Sequence, residues 1–251
     1  MTNSTYVPKP RELLPDWMVG LTDRVMNYYT KRYLNCEPVI LKNPPLPQEG
    51  HQYMLYAHVP FCHTLCTYCT FHRFLFKEWK AREYFQNLRK EMEYVKALGY
   101  DFTAMYVGGG TTTILEDELV KTLELAKKLF PSIKEISCET DPQVIMTPQF
   151  RNLQGLVHTC NVDMMFGFRG QSLDVLHEDM EKIVKLNPRQ VTTYPLMVTS
   201  QTRASARAKI AATGLELADQ YRVIMDSLEN HYRQLTSWTF GPVSYTHLRA
   251  H

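Results

Sequence analysis

The sequence lacks several things that would have fixed its class at once. No apolar run approaches transmembrane length, and the start, MTNSTYVPKPRELLPDW, has no basic segment followed by an apolar core. Neither a spanning helix nor a secretion signal is therefore expected, and the reading is a cytoplasmic, reducing location. Charge of one sign is also scarce: 28 Lys and Arg against 26 Asp and Glu leave a net charge of +2. That balance gives no electrostatic preference for nucleic acid or a membrane surface. Six cysteines in 251 residues are too few for a secreted disulfide framework, and a chain of this length can bury a sizeable core without one. No internal repeat or low-complexity tract is present. With 44% hydrophobic and 22% charged residues, the composition is that of an ordinary soluble globular protein.

What is present centres on Tyr53 to Phe71, YMLYAHVPFCHTLCTYCTF. Met54, Leu55, Tyr56 and Val59 read as a strand closed by Pro60. Cys62, Cys66 and Cys69 follow it at C-x3-C-x2-C spacing, on a loop at the strand's C-terminal end. Thiolates so placed can converge on one soft centre, and three sulfurs suit a cubane iron-sulfur cluster with its fourth iron open to a ligand. Structural zinc with a distant fourth ligand is the alternative for the same residues. Cys36, Cys138 and Cys160 stand alone and read as small buried apolar residues.

Strand and helix alternate along the rest of the chain. Trp17 to Leu34 carries apolar residues at helical spacing with Asp16 placed to cap it, and reads as a packing helix. After the turn-rich Asn43–Gly50 and the cysteine loop come a helix over Glu83 to Leu98 capped by Gly99, and a strand over Phe102 to Val107. Gly108 to Thr113 then leads into a helix from Leu115 to Phe130 with acidic residues in its first turn and lysines in its last. Glycines at a strand's end let the backbone approach a ligand and turn its unpaired groups toward it. Ile133 to Cys138 reads as a strand before Glu139, and Asn161 to Phe166 as a strand before a helix over Ser172 to Leu186. Asp163 lies in that apolar strand, where a carboxylate must find donors or stay protonated. A strand over Val191 to Val198, a helix over Leu215 to His231 and a strand over Gln234 to Phe240 complete the pattern. Such alternation predicts a parallel sheet with ligands at the strands' C-terminal ends.

The segment Tyr56-x-His58-x-Pro60-Phe61-Cys62, the cysteine spacing and Tyr68 resemble the radical S-adenosylmethionine (SAM) proteins, in the group of oxygen-independent coproporphyrinogen III oxidases and haem chaperones. The resemblance implies an α/β fold, the partial (β/α)6 radical SAM barrel. It implies a [4Fe-4S] cluster held by Cys62, Cys66 and Cys69, whose open iron binds SAM, with Tyr56 near the cluster and Tyr68 against the adenine. Gly108 to Thr113 resembles the group's GGGTPT loop, so Gly109, Gly110 and Thr111 would embrace the methionyl amino group. Thr112, where the group has proline, is expected to loosen that loop. Glu139 would accept from the ribose hydroxyls, and Asp163 would belong to the SAM site. For His58, His63 and His72 the expectation is hydrogen-bonded structural histidines.

The function so implied is that of an oxidoreductase. An electron from a flavodoxin- or ferredoxin-type donor cleaves SAM to a 5'-deoxyadenosyl radical that acts on a tetrapyrrole, in porphyrin biosynthesis. Phe71 stands where the dehydrogenases of the group have a fourth cysteine and resembles the haem chaperones instead, so a haem-binding chaperone with a retained cluster is a second reading. A zinc-bearing structural protein is the third. Between Phe150 and Asn161 the group has a further strand and helix, with a glutamine and an arginine on SAM, so one βα unit is expected to be missing, as is the C-terminal domain. The implied division is an arm and helix over 1–50, the barrel core over 51–200, the start of a C-terminal region over 201–243, and a non-native tail, SYTHLRAH, over 244–251.

Overall fold

Alternation of apolar and polar side chains along five strands sorts this chain into a sheet with one dry and one polar face. The computed structural model describes residues 15–34, 44–69, 71–140, 153, 155–197 and 210–243. The N-terminal arm, Cys36 and the tail after residue 243 lie outside the described residues. Those residues fall into two units, one carrying helix α1 (Asp16–Tyr33) and the other everything from Pro47 onward. Helix α1 starts at Asp16 with Pro15 in the capping position and no side-chain cap, so the expected cap is not formed. Its Trp17, Leu21, Val25, Tyr28 and Tyr29 are exposed.

In the larger unit, β1 (Met54–Val59), β4 (Ala104–Gly109), β5 (Glu135–Thr140), β6 (Thr159–Phe166) and β7 (Gln190–Pro195) lie side by side and pair in parallel. Between β1 and β4 in the chain come two short strands, β2 (Phe61–Cys62) and β3 (Phe74–Leu75), paired only with each other. Helices α2 (Glu78–Ala97), α3 (Glu116–Leu129), α4 (Leu173–Leu186) and α5 (Gly214–Leu228) connect or follow the sheet strands. The sheet is open and carries five parallel strands. In sequence β5 and β6 are separated by the stretch expected to lack a βα unit, and in space they are direct neighbours, Glu139 opposite Asn161. Leu153, Leu156 and Val157 from that short connection pack into the core beside β5, and His158 Nδ1 accepts the Ile136 N–H at 3.0 Å.

Ala57, Val59, Met105, Val107, Ile136 and Cys138 bury against Phe85 and Met92 of α2 and Leu119, Leu123 and Ala126 of α3. Val162, Met164, Phe166 and Val191 bury against Leu176, Met180 and Ile183 of α4 and Val223, Ile224 and Leu228 of α5. Glu118, 5% exposed, is satisfied by Arg89 at 2.6 Å and Lys121 at 2.9 Å, which ties α3 to α2. Among the described residues no helix is long and apolar enough to cross a membrane.

Several boundaries differ from the sequence reading. Helix α2 begins five residues before Glu83, behind Lys77, which offers no side-chain cap to signal the start. It does end as expected, with Gly99 at φ +95° and its N–H bonded to Lys96 O. The expected strand over Gln234 to Phe240 is a hairpin: β8 (Tyr232–Gln234) turns back into β9 (Thr239–Pro242), which runs antiparallel to β7. Thr236 makes the turn, its hydroxyl accepting the N–H groups of Trp238 and Thr239 at 3.2 and 3.0 Å. Lastly, β5 runs two residues further than expected, so Glu139 is a strand residue and not a loop carboxylate.

Candidate cluster and cofactor site

The cysteine loop leaves the sheet at Pro60 and is closed at its base by β2 and β3. Phe74 N–H donates to Pro60 O at 2.6 Å and Phe76 N–H to Cys62 O at 2.9 Å, so residues 63–73 form a loop with clasped ends. Cys62, Cys66 and Cys69 are all free thiols and all partly exposed. Burial pushes the Cys62 thiol up, hydrogen bonds from Thr111 oppose this, and Cys69 and Cys66 add to it. Among the described residues no three Cys, His, Asp or Glu side chains converge tightly enough for a single metal ion. A cubane cluster takes each thiolate on a different iron, and its ligands stand apart accordingly.

The glycine loop is latched onto this base. Gly110 N–H donates to Val59 O and Thr111 N–H to Phe61 O, both at 2.8 Å. A Cβ at Gly110 would lie 2.5 Å from Phe61 O and 2.7 Å from Cys62 Sγ, and Gly109 sits at φ +127°, so both positions require glycine. The N–H groups of Gly109, Gly110 and Thr111 all bond within the protein, Gly109 to Glu139 Oε2 at 3.1 Å. Thr112 does not loosen the loop. It is buried, and its hydroxyl donates to Glu139 O at 2.6 Å, tying the loop to the end of β5.

Gly109 to Thr113, Glu139, Thr140 and Asp163 line a cavity of about 100 Å³ at the strands' C-terminal ends. Behind it a polar network crosses four strands. Tyr106 OH donates to Glu139 Oε1 at 3.0 Å, Asn161 Nδ2 donates to Asp163 Oδ1 at 2.8 Å, and Thr192 Oγ1 donates to Asn161 Oδ1 at 2.7 Å. Burial, then the charge of Glu139, raises the Asp163 carboxyl to about 8 against the opposing bond from Asn161. Burial and the same carboxylate also push the Tyr106 phenol up. Tyr194, on the same face, is raised to about 12, by burial first and then by Asp163 and Glu139.

Of the residues singled out in the sequence, the cavity brings together Gly109, Gly110, Thr111, Glu139 and Asp163, with Cys62 in contact range of the glycine loop. Tyr56 lies on the same face of the sheet, stacked on Tyr106 at 6.1 Å, its hydroxyl 3.1 Å from His58 Nδ1. His58 Nε2–H donates to His72 O at 3.0 Å, as a structural histidine would. His63 and His72 pack edge-on against Phe76 and Phe74. Tyr68 stands apart from the cavity, edge-on to Phe168 at 5.5 Å, and its phenol is raised to about 12, chiefly by burial. Cys138 is buried and Cys160 partly so, facing each other across β5 and β6. Sequence reading missed Tyr106, Asn161, Thr192 and Arg73. The first three occupy alternate strand positions on the face that holds Glu139 and Asp163, a period-2 signal that was available.

Compared with known proteins, residues 56–167 match the radical SAM superfamily. Heme chaperone HemW of Bacillus subtilis is 24% identical over 227 residues, 70% of this chain and 60% of that protein. An anaerobic coproporphyrinogen III oxidase of Cereibacter sphaeroides is 27% identical over 187 residues, 56% of this chain and 41% of that protein. The solved structure of the Escherichia coli coproporphyrinogen III oxidase, HemN, described as a radical SAM enzyme, shares the fold with a TM-score of 0.63 at 17% identity. That match covers 78% of this chain and 57% of the other. The chain thus spans about half the length of the relatives it matches. Residues 56–167 match a radical SAM domain, and the chain is similar to heme chaperones and oxygen-independent coproporphyrinogen III oxidases.

Proposed function

We propose that this chain is the cluster- and SAM-binding part of a radical SAM protein of haem metabolism, acting on a tetrapyrrole. The observation that carries the reading is the latch between the loop bearing Cys62, Cys66 and Cys69 and the glycine loop at the cavity of Glu139 and Asp163. Three free thiols on one loop, with a glycine cradle against Cys62 that a Cβ would fill, fit a [4Fe-4S] cluster. When bound, the cluster supplies one electron and SAM supplies the carbon-sulfur bond that the electron breaks. The protein's share is placement. With its amides engaged, the glycine loop offers carbonyl oxygens, the acceptors that an ammonium group with three donors needs. Glu139, held by Gly109, Thr112 and Tyr106, presents a fixed carboxylate to ribose hydroxyls. Asp163 faces the same cavity as a neutral acid that a bound sulfonium would ionise. The electron donor, of flavodoxin or ferredoxin type, would reach the exposed side of the cysteine loop.

A haem chaperone that retains the cluster is the second reading, favoured by Phe71, 70% exposed at the place of a fourth cysteine. Anaerobic reconstitution with iron and sulfide, followed by dithionite and SAM, tests the first: methionine and 5'-deoxyadenosine should form with tetrapyrrole present. Saturable one-to-one haem binding without those products would move the conclusion to the chaperone. Zinc at the cysteines in place of iron would reject both.

A further inference from the structure

Beside the cysteine loop lies a guanidinium that the site described above does not use. Arg73 Nη2 donates to Cys66 O at 2.6 Å and Nη1 to Phe71 O at 3.2 Å, so its fork spans the two arms of the loop. Among the described residues the backbone inside the loop adds one long bond, Cys69 N–H to Cys66 O at 3.3 Å. The Arg73 Nε–H is buried and has no acceptor among the described residues. No carboxylate is paired with Arg73 there either; its two bonds are to neutral carbonyls. A buried donor of a cationic group left without an acceptor is costly unless an anion arrives. The same loop carries three free thiols, which become anionic together when they bind iron.

We propose that Arg73 is a positioning residue for the cluster, bracing the segment that carries Cys69 through the Cys66 and Phe71 carbonyls at its ends, and setting a fixed positive charge on the loop whose thiolates would hold the iron. The inference rests on the cluster reading. It divides into a brace, which needs the planar fork, and a charge, which any cation at that place supplies. Removing the fork frees Cys66 and Cys69 to move, so iron is lost more readily. Removing the charge makes the cluster harder to reduce, because the added electron loses a stabilising cation.

The test compares full-length wild type with Arg73→Lys and Arg73→Met, using circular dichroism to confirm folding. In the metal-free proteins, hydrogen exchange over residues 62–74 should be faster in both variants. After reconstitution, iron release to a chelator should be about tenfold faster in Arg73→Met, the scale of a lost charged hydrogen bond, and also faster in Arg73→Lys. The cluster's midpoint potential should fall in Arg73→Met and stay near wild type in Arg73→Lys. Unchanged exchange and iron release in both variants would overturn the brace. A potential that does not fall in Arg73→Met, or falls equally in Arg73→Lys, would overturn the charge. A wild type that takes up no iron would instead remove the cluster reading, with the exchange data still reporting on the brace.

Discussion

Two faces of one sheet carry residues chosen by different physics. On the helix side Val59, Val107, Ile136, Val162 and Val191 are 0% exposed. On the other side the same strands present Tyr56, Tyr106, Glu139, Asn161, Asp163, Thr192 and Tyr194, with Tyr56 and Tyr194 still 52% and 39% exposed. The first face is held by burial, which rewards any apolar shape that fills the space. The second is held by a chain of hydrogen bonds from Tyr106 to Thr192, in which each group has a partner and no apolar replacement would serve. A one-residue slip of any strand would exchange the two sets, so the dry face also fixes the register of the polar one. The helix side is therefore where stability resides, and the cavity side is the one proposed to meet a ligand.

The sharpest way to separate the two functions is to delete a thiol. Cys66→Ala should abolish cluster binding outright, read as iron and sulfide content, while leaving the circular dichroism and melting of the metal-free protein unchanged. The reverse experiment is Phe130→Ala, under the helix side, where the ring is 0% exposed and packs on Phe102 at 4.7 Å. It should cost about 3–5 kcal/mol in urea unfolding, yet the folded fraction should take up iron as wild type does. On the polar face, Glu139→Gln keeps the volume and removes the charge. SAM affinity, measured by equilibrium binding to the reconstituted protein, should weaken about tenfold, or about 1.4 kcal/mol, with little change in unfolding.

The smallest effect is one of pH. Asp163 holds its proton in the folded protein up to about 8, well above its ordinary range near 3.8. Between those values the folded state binds more protons than the unfolded one, so this group's stabilisation is present below about 4 and is lost as pH rises through about 8. Urea midpoints should fall over that window in wild type, and Asp163→Asn should flatten that part of the slope. An unchanged slope in the variant would mean that Asp163 is not the group responsible.

The helix side was largely legible beforehand, because apolar residues at period 2 and period 3.6 announce both the strands and their covering helices. The cysteines and glycines of the site were equally plain, since only those residue types serve there. Glu139 and Asp163 could be named, but not the bonds that fix them, because Tyr106, Asn161 and Thr192 become partners only once β4, β5, β6 and β7 are laid side by side. The Thr236 turn was read through as strand, since β-branched and aromatic residues flank it and no glycine or proline marks the reversal. Nothing in the sequence sets Arg73 apart; its two carbonyl partners become neighbours only when the loop closes on it.

The central claim is that the loop of Cys62, Cys66 and Cys69 and the cavity of Glu139 and Asp163 form one working site. Electron paramagnetic resonance of the reconstituted, reduced protein, with and without SAM, tests it most directly. A signal from a cluster of about four irons that changes on adding SAM is the predicted result. A cluster whose signal is indifferent to SAM would show that the two halves do not work together, and would contradict the account.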